Sequence, residues 1–143
     1  METPEASKKS DARYLAFWER QPGFVYFISA GNPAVAVKIG ISTAETMRKR
    51  LKSHQSSNHE PLYILGLISF SNEEKPMAAA NALERQLHEQ FSSARRFVLG
   101  PGNEWFNPTA DILEYINQHS SAPDIYGLAR TIAQIGPRLK NET

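Results

Sequence analysis

The sequence predicts an α+β fold in which helices cover a small mixed or antiparallel sheet. Three observations carry that expectation. In FVYFISAGNPAVAVKIGIS (residues 24–42), two short apolar runs flank a Gly-Asn-Pro loop, the pattern of a hairpin. LYILGLISF is a third run of large apolar residues bounded by polar loops and reads as a buried strand. The remaining segments carry apolar residues at helical spacing. A chain of 143 residues fits a single domain with enough chain to bury a core.

In chain order, a polar tip leads into a helix, SDARYLAFWERQPG, which Ser10 or Asp11 can cap and Pro22-Gly23 should end. The hairpin follows. STAETMRKRLKSHQSS then reads as a helix, with Ser42 and Glu45 at capping-box spacing. After the LYILGLISF strand, Pro76 suits the first turn of a helix running to about Ser92. RRFVLGPGNEWF is irregular, with room for a short strand before Gly100. Asn107-Pro108 opens a helix through ILEYINQ, and Pro123 breaks the chain before a last amphipathic helix, DIYGLARTIAQI. The expected organisation is an N-terminal tip and helix (1–22), a central domain (23–119), and a C-terminal helix and tail packing on it (120–143).

Composition excludes several classes. There are no cysteines, which removes disulfides, thiolate metal sites and a cysteine nucleophile, and suits a reducing cytoplasm. No apolar run is long enough to cross a bilayer, and METPEASKKSDAR lacks the apolar core of a secretory signal. A net charge of +1 gives no whole-molecule attraction to nucleic acid, so such binding must use local clusters.

Alternation assigns the hairpin two faces. With residues 30–34 as the loop, Phe27 opposes Val37 and Val25 opposes Ile39 on an apolar face that should meet the core. On the other face Ile28 opposes Ala36, Tyr26 opposes Lys38 and Phe24 opposes Gly40. An ammonium beside a phenol favours phenolate and would lower the pKa of Tyr26 toward the range of a base. Taken alone, a tyrosine opposite a lysine is more often packing.

The two following helices border that polar face. Ala44, Met47 and Leu51 form the inward stripe of the first. Arg48, Lys49 and Lys52 point away, while Arg50 and His54 lie on its flank. Arg50 there can hold a phosphate by two hydrogen bonds, and His54 can add a contact or a proton. In the helix from Pro76, Ala80, Leu83, Leu87 and Phe91 face inward and Glu84 sits on the stripe's edge, with His88 one turn on. A carboxylate at such an edge needs a partner. Arg50 could pair with it, or it could be one ligand of Mg²⁺, with phosphate oxygens and water completing the octahedron.

The order F-V-Y, K-I-G, R-L-x-x-H, A-L-E-x-x-L-H and N-E-W-F resembles the GIY-YIG nuclease superfamily. More narrowly, it is similar to the branch first seen in a phage open reading frame. The resemblance covers about Gly23 to Ile116. It implies a three-stranded antiparallel sheet flanked by helices and metal-dependent hydrolysis of DNA phosphodiesters. It assigns Tyr26 as the general base, Arg50 to the scissile phosphate and Glu84 to a single divalent ion, Mg²⁺ or Mn²⁺; His54 falls where some members carry a catalytic histidine. Lys38 stands where the superfamily name has a second tyrosine, as is usual in this branch. The late asparagine of the superfamily matches Asn103, Glu104 or Asn107. Trp105 and Phe106 suit core packing better than base stacking.

Lys49, Lys52, Arg95 and Arg96 are the expected DNA-backbone contacts, which position without reading sequence. One such site cuts one strand, so a double-strand break needs a homodimer or two encounters, and near-neutral charge leaves room for a targeting partner protein. The alternatives are a non-catalytic nucleic-acid-binding module on the same fold, or a protein-interaction module docking through its terminal helices.

Overall fold

A four-stranded antiparallel sheet of order β3-β1-β2-β4 organises the chain. The computed structural model describes residues 4–96 and 104–135, with side chains from Asp11 onward. Its elements are α1 (Pro4–Glu19), β1 (Gly23–Ala30), β2 (Ala36–Thr43), α2 (Met47–Ser56), β3 (Leu62–Ser69), α3 (Pro76–Gln90), β4 (Trp105–Phe106) and α4 (Ala110–His119), with short 3₁₀ turns at Ser92–Ala94, Pro123–Tyr126 and Ile132–Gln134. The sheet therefore has four strands rather than three. The extra one is the two-residue β4, in which Val37 pairs with Phe106 and Lys38 with Trp105. The strand expected before Gly100 falls in residues 97–103, outside those described.

The hairpin forms two residues out of the expected register. Its loop is residues 31–35, closed by the Val35 amide donating to the Ala30 carbonyl at 2.8 Å. Gly31 supplies the turn with a φ of 80°, which a side chain would oppose. Tyr26 consequently faces Gly40, Phe27 faces Ile39 and Ile28 faces Lys38. Because side chains alternate with period two, a two-residue shift keeps every residue on its face. Tyr26 and Lys38 still share a face, but as diagonal neighbours.

Both faces of the sheet are covered, so the "polar" face is a second core. On one side Val25, Phe27, Val37 and Ile39 pack with Met77, Ala80 and Leu87 of α3 and Ile112 and Ile116 of α4. On the other, Tyr26, Ile28 and Ala36 pack with Met47 and Leu51 of α2 and with Leu128, Ile132 and Ile135. A strand buried on both faces reads as a near-continuous apolar run, as GFVYFISA does. The last segment, expected as a helix, reaches this core through its two 3₁₀ turns. Gly127 (φ 73°) separates them, and Thr131 bridges to Tyr63 along the outer edge of β3.

Two helices start elsewhere than expected. β2 continues through Ser42, which pairs with Phe24, so α2 begins only at Met47 and the Ser42–Glu45 capping box does not form. Instead the Ser42 and Thr43 hydroxyls meet the Thr46 hydroxyl at 3.2 and 2.7 Å, and Ala44 is exposed. α1 begins at Pro4, before Ser10 and Asp11. Among the described residues, no helix is long and apolar enough to cross a membrane.

Candidate active site

The site forms where the open edge of β2, the flank of α2 and the edge of α3 meet. Tyr26, from the central strand, is only 1% exposed and projects into the second core toward α2. Its seat is Gly40. A Cβ there would lie 2.5 Å from both the ring carbon and the hydroxyl oxygen of Tyr26. Neither can move far in a packed core, so the glycine of K-I-G is what lets the tyrosine ring lie flat on β2. Gly40→Ala is expected to leave a folded protein about 1–3 kcal/mol less stable, with the Tyr26 ring displaced. Thermal unfolding together with the Tyr26 ring signals in an NMR spectrum checks this; an unshifted ring would remove glycine from the design of the site.

The Tyr26 hydroxyl and His54 Nε2 lie 3.0 Å apart. Burial pushes the phenol well above its ordinary value, with Arg50 opposing and Glu104 and Glu84 adding to the rise. Lys38 has no part in that balance. Its ammonium, on a residue only 6% exposed, is held by the Glu104 carboxylate at 2.7 Å. β4 places Glu104 there, its carbonyl accepting the Ile39 N–H at 3.2 Å. The expectation that Lys38 tunes Tyr26 to a ready phenolate is thus corrected: the lysine is paired with Glu104, and desolvation dominates the phenol.

His54 moves the other way. Burial, then the charges of Lys38 and Arg50, lower it to about 4, so at neutral pH its ring is uncharged and carries one nitrogen able to accept a proton. Glu84, on the half-buried edge of α3, is raised to about 7 by burial and by Glu104, with Lys38 and Arg50 opposing. Among the described residues Glu84 makes no hydrogen bond and no ion pair, so the expected alternative of an Arg50–Glu84 bridge does not form. One turn on, His88 Nε2 meets the Ile39 carbonyl at 2.9 Å, which anchors α3 to the open edge of β2.

These shifts oppose one another in stability. Glu84 binds a proton more tightly folded than unfolded, so its contribution falls as pH rises from about 4.5 to 7. His54 binds one less tightly folded, so its contribution is lost as pH falls from 6.5 to about 4. In metal-free buffer, Glu84→Gln is expected to gain on the wild type as pH rises through that window. His54→Gln should gain on it as pH falls. Urea unfolding at a series of pH values reads both slopes; parallel curves would show that neither group is shifted.

The other expected residues divide. Of the late candidates, Glu104 enters the site, Asn107 accepts from Arg96 Nη1 at 3.1 Å away from it, and Asn103 lies outside the described residues. Arg96 also donates to the Val35 carbonyl at 3.1 Å, and Arg95 to the His88 carbonyl at 3.3 Å, so both guanidinium groups hold loops together. Lys49 is exposed and Lys52 half-buried on α2, while Arg48 reaches the Gly127 carbonyl at 3.5 Å. Phe106 is fully buried beneath β2, and Trp105 lies 5.6 Å from the Lys38 ammonium.

Residues 23–120 match the T5orf172 domain. The chain belongs to that family. T5orf172 domains occur in phage open reading frames and are linked to GIY-YIG-like and nuclease-like folds. No curated protein and no solved structure matches the chain. The matched span begins with β1 and ends just beyond α4, so this T5orf172 domain holds all of Tyr26, Lys38, Arg50, His54, Glu84 and Glu104, and leaves out α1.

Proposed function

We propose that this T5orf172 protein is a GIY-YIG-type endonuclease that hydrolyses DNA phosphodiester bonds with the help of one divalent ion. The observation that carries the reading is the pairing of a part-buried Tyr26–His54 hydrogen bond with a half-buried carboxylate, Glu84, that has no protein partner among the described residues. An unpartnered carboxylate in a desolvated position suits a hard cation. Among the described residues, no group of three His, Asp or Glu side chains could cage an ion, so Glu84 would be the protein's ligand and phosphate oxygens and water the rest. Mg²⁺ or Mn²⁺ held there would supply Lewis acidity to the phosphate.

The chain's own residues would do the remainder. Arg50 would bind a non-bridging oxygen of the scissile phosphate and offset the charge that develops on it. With the His54 ring in the tautomer protonated at Nδ1, the Tyr26 O–H would donate to Nε2, leaving a phenol lone pair to take the proton of the attacking water. The phenol proton passes to the neutral imidazole as that occurs, so no free phenolate need exist beforehand. Lys38 and Glu104, paired with each other, position β4 on β2; the Lys38 charge helps keep His54 uncharged, against the opposing pull of Glu104.

A binding module on the same fold is the second reading, since an exposed Arg50 can hold a phosphate without cutting beside it. Supercoiled plasmid separates the two. The purified protein is expected to nick it with Mg²⁺ or Mn²⁺ and to stop when chelator is added. Binding without nicking, by folded protein with metal supplied, would favour the binding module.

A further inference from the structure

Beside the site, on the far side of Arg50, lies a cleft that the reaction does not use. Its volume is about 420 Å³, and Arg50 forms part of its wall. One side is α1, where Tyr14, Phe17 and Trp18 recur at the i, i+3, i+4 spacing of a single helical face, with Gln21 in the turn just beyond its end. Trp18 packs on the first core, but Tyr14 and Phe17 are 70% and 65% exposed. The opposite side is the end of β2 and the turn into α2, where Thr43 and Thr46, their hydroxyls bonded to each other, line it with Glu45 and Ile41.

Resting on the nuclease reading, we propose that this cleft binds an unstacked nucleobase of the DNA strand whose phosphate Arg50 holds. Three features fit that occupant. Aromatic rings on one wall and hydrogen-bonding groups on the other suit a flat ligand with two π faces and a polar edge, not a uniformly apolar partner. The volume takes a nucleoside-sized ligand, whereas a docking helix needs a long groove. Arg50 is shared between the cleft and the catalytic cluster, so a phosphate on its guanidinium has its own nucleoside at the mouth of the cleft. The base would be gripped before cleavage, which favours substrates with an unpaired or easily unstacked nucleotide at the cut.

The test is binding in chelator, so that no cleavage intervenes. A thymidine tetranucleotide is compared with an abasic tetranucleotide carrying the same phosphates, by quenching of tryptophan fluorescence, for wild type and for a Tyr14→Ala/Phe17→Ala double variant. Both substituted side chains are largely exposed, so the fold is expected to survive; an unchanged unfolding midpoint verifies this. The wild type should prefer the base-bearing oligonucleotide by about 5- to 150-fold, the range of one aromatic stack. The double variant should bind both at the abasic level. Equal wild-type affinities, or full preference in the double variant, would overturn the cleft whatever the plasmid assay shows. Base preference in a protein that never nicks plasmid would sink the nuclease reading alone and leave the base cleft standing.

Discussion

Glu84→Gln is expected to abolish metal-dependent nicking, by about 10³-fold or more, because several kcal/mol of charge stabilisation at the phosphate leave with the ion. The same substitution should make the metal-free protein more stable. Glu84 is raised to about 7, which means the fold disfavours its charged form. Since the side chain is half exposed, solvent screening leaves a folding penalty of about 1 kcal/mol at pH 8, or about 3 °C in unfolding midpoint. Excess Mg²⁺ should reverse the order. The wild type gains about 2.7 kcal/mol at a hundredfold excess over its Kd, and a neutral amide gains nothing. Unfolding midpoints of both proteins, with Mg²⁺ and with chelator, should therefore cross. A variant less stable than wild type in chelator would mean that Glu84 serves the fold instead, and a retained Mg²⁺ shift would place the ion elsewhere. The acid limb of kcat/KM belongs to the same carboxylate: it should fall through about pH 7 and move to lower pH as Mg²⁺ rises, since ion and proton compete for Glu84.

What the sequence reveals and conceals follows from how local each feature is. The face shared by Tyr26 and Lys38 is legible because strand parity survives a two-residue register shift. Their direct opposition is not, because it depends on where a loop of the same length is placed, which the closure of the turn at Gly31 and Val35 sets one residue later along the chain. The flank position of Arg50 and His54 follows from helical spacing, although the start of α2 does not. Ser42 has the chemistry of a cap, but it is already committed to Phe24 across the sheet. The partner of Lys38 is hidden for a different reason. Glu104 is 66 residues away and arrives through a two-residue strand that no periodicity announces. The second core is hidden likewise, since Leu128, Ile132 and Ile135 reach it from an irregular segment around two short 3₁₀ turns and not from a helix with a readable stripe. That burial decides the electrostatics of the site. A hairpin face taken as polar and open makes Lys38 the dominant neighbour of Tyr26, whereas a closed face makes desolvation dominant.

Tyr26→Phe is expected to lower nicking by about 10²- to 10⁴-fold, the usual worth of a positioned proton acceptor. The ring and its seat on Gly40 remain, so packing is preserved. Loss of one hydrogen bond to His54 should cost about 0.5–1.5 kcal/mol. His54→Gln is the informative companion, because an amide can still accept from the phenol but cannot take up its proton. If the imidazole receives that proton, His54→Gln should lose activity on the same scale as Tyr26→Phe. The double variant should then be little worse than either single one, since both residues act in one transfer. His54 lies near 4, well below the Glu84 limb, so its loss should lower the plateau without moving the acid limb near pH 7. A His54→Gln protein within about twofold of wild type, beside an inactive Tyr26→Phe protein, would send the proton from Tyr26 directly to solvent or phosphate and reduce His54 to a positioning residue.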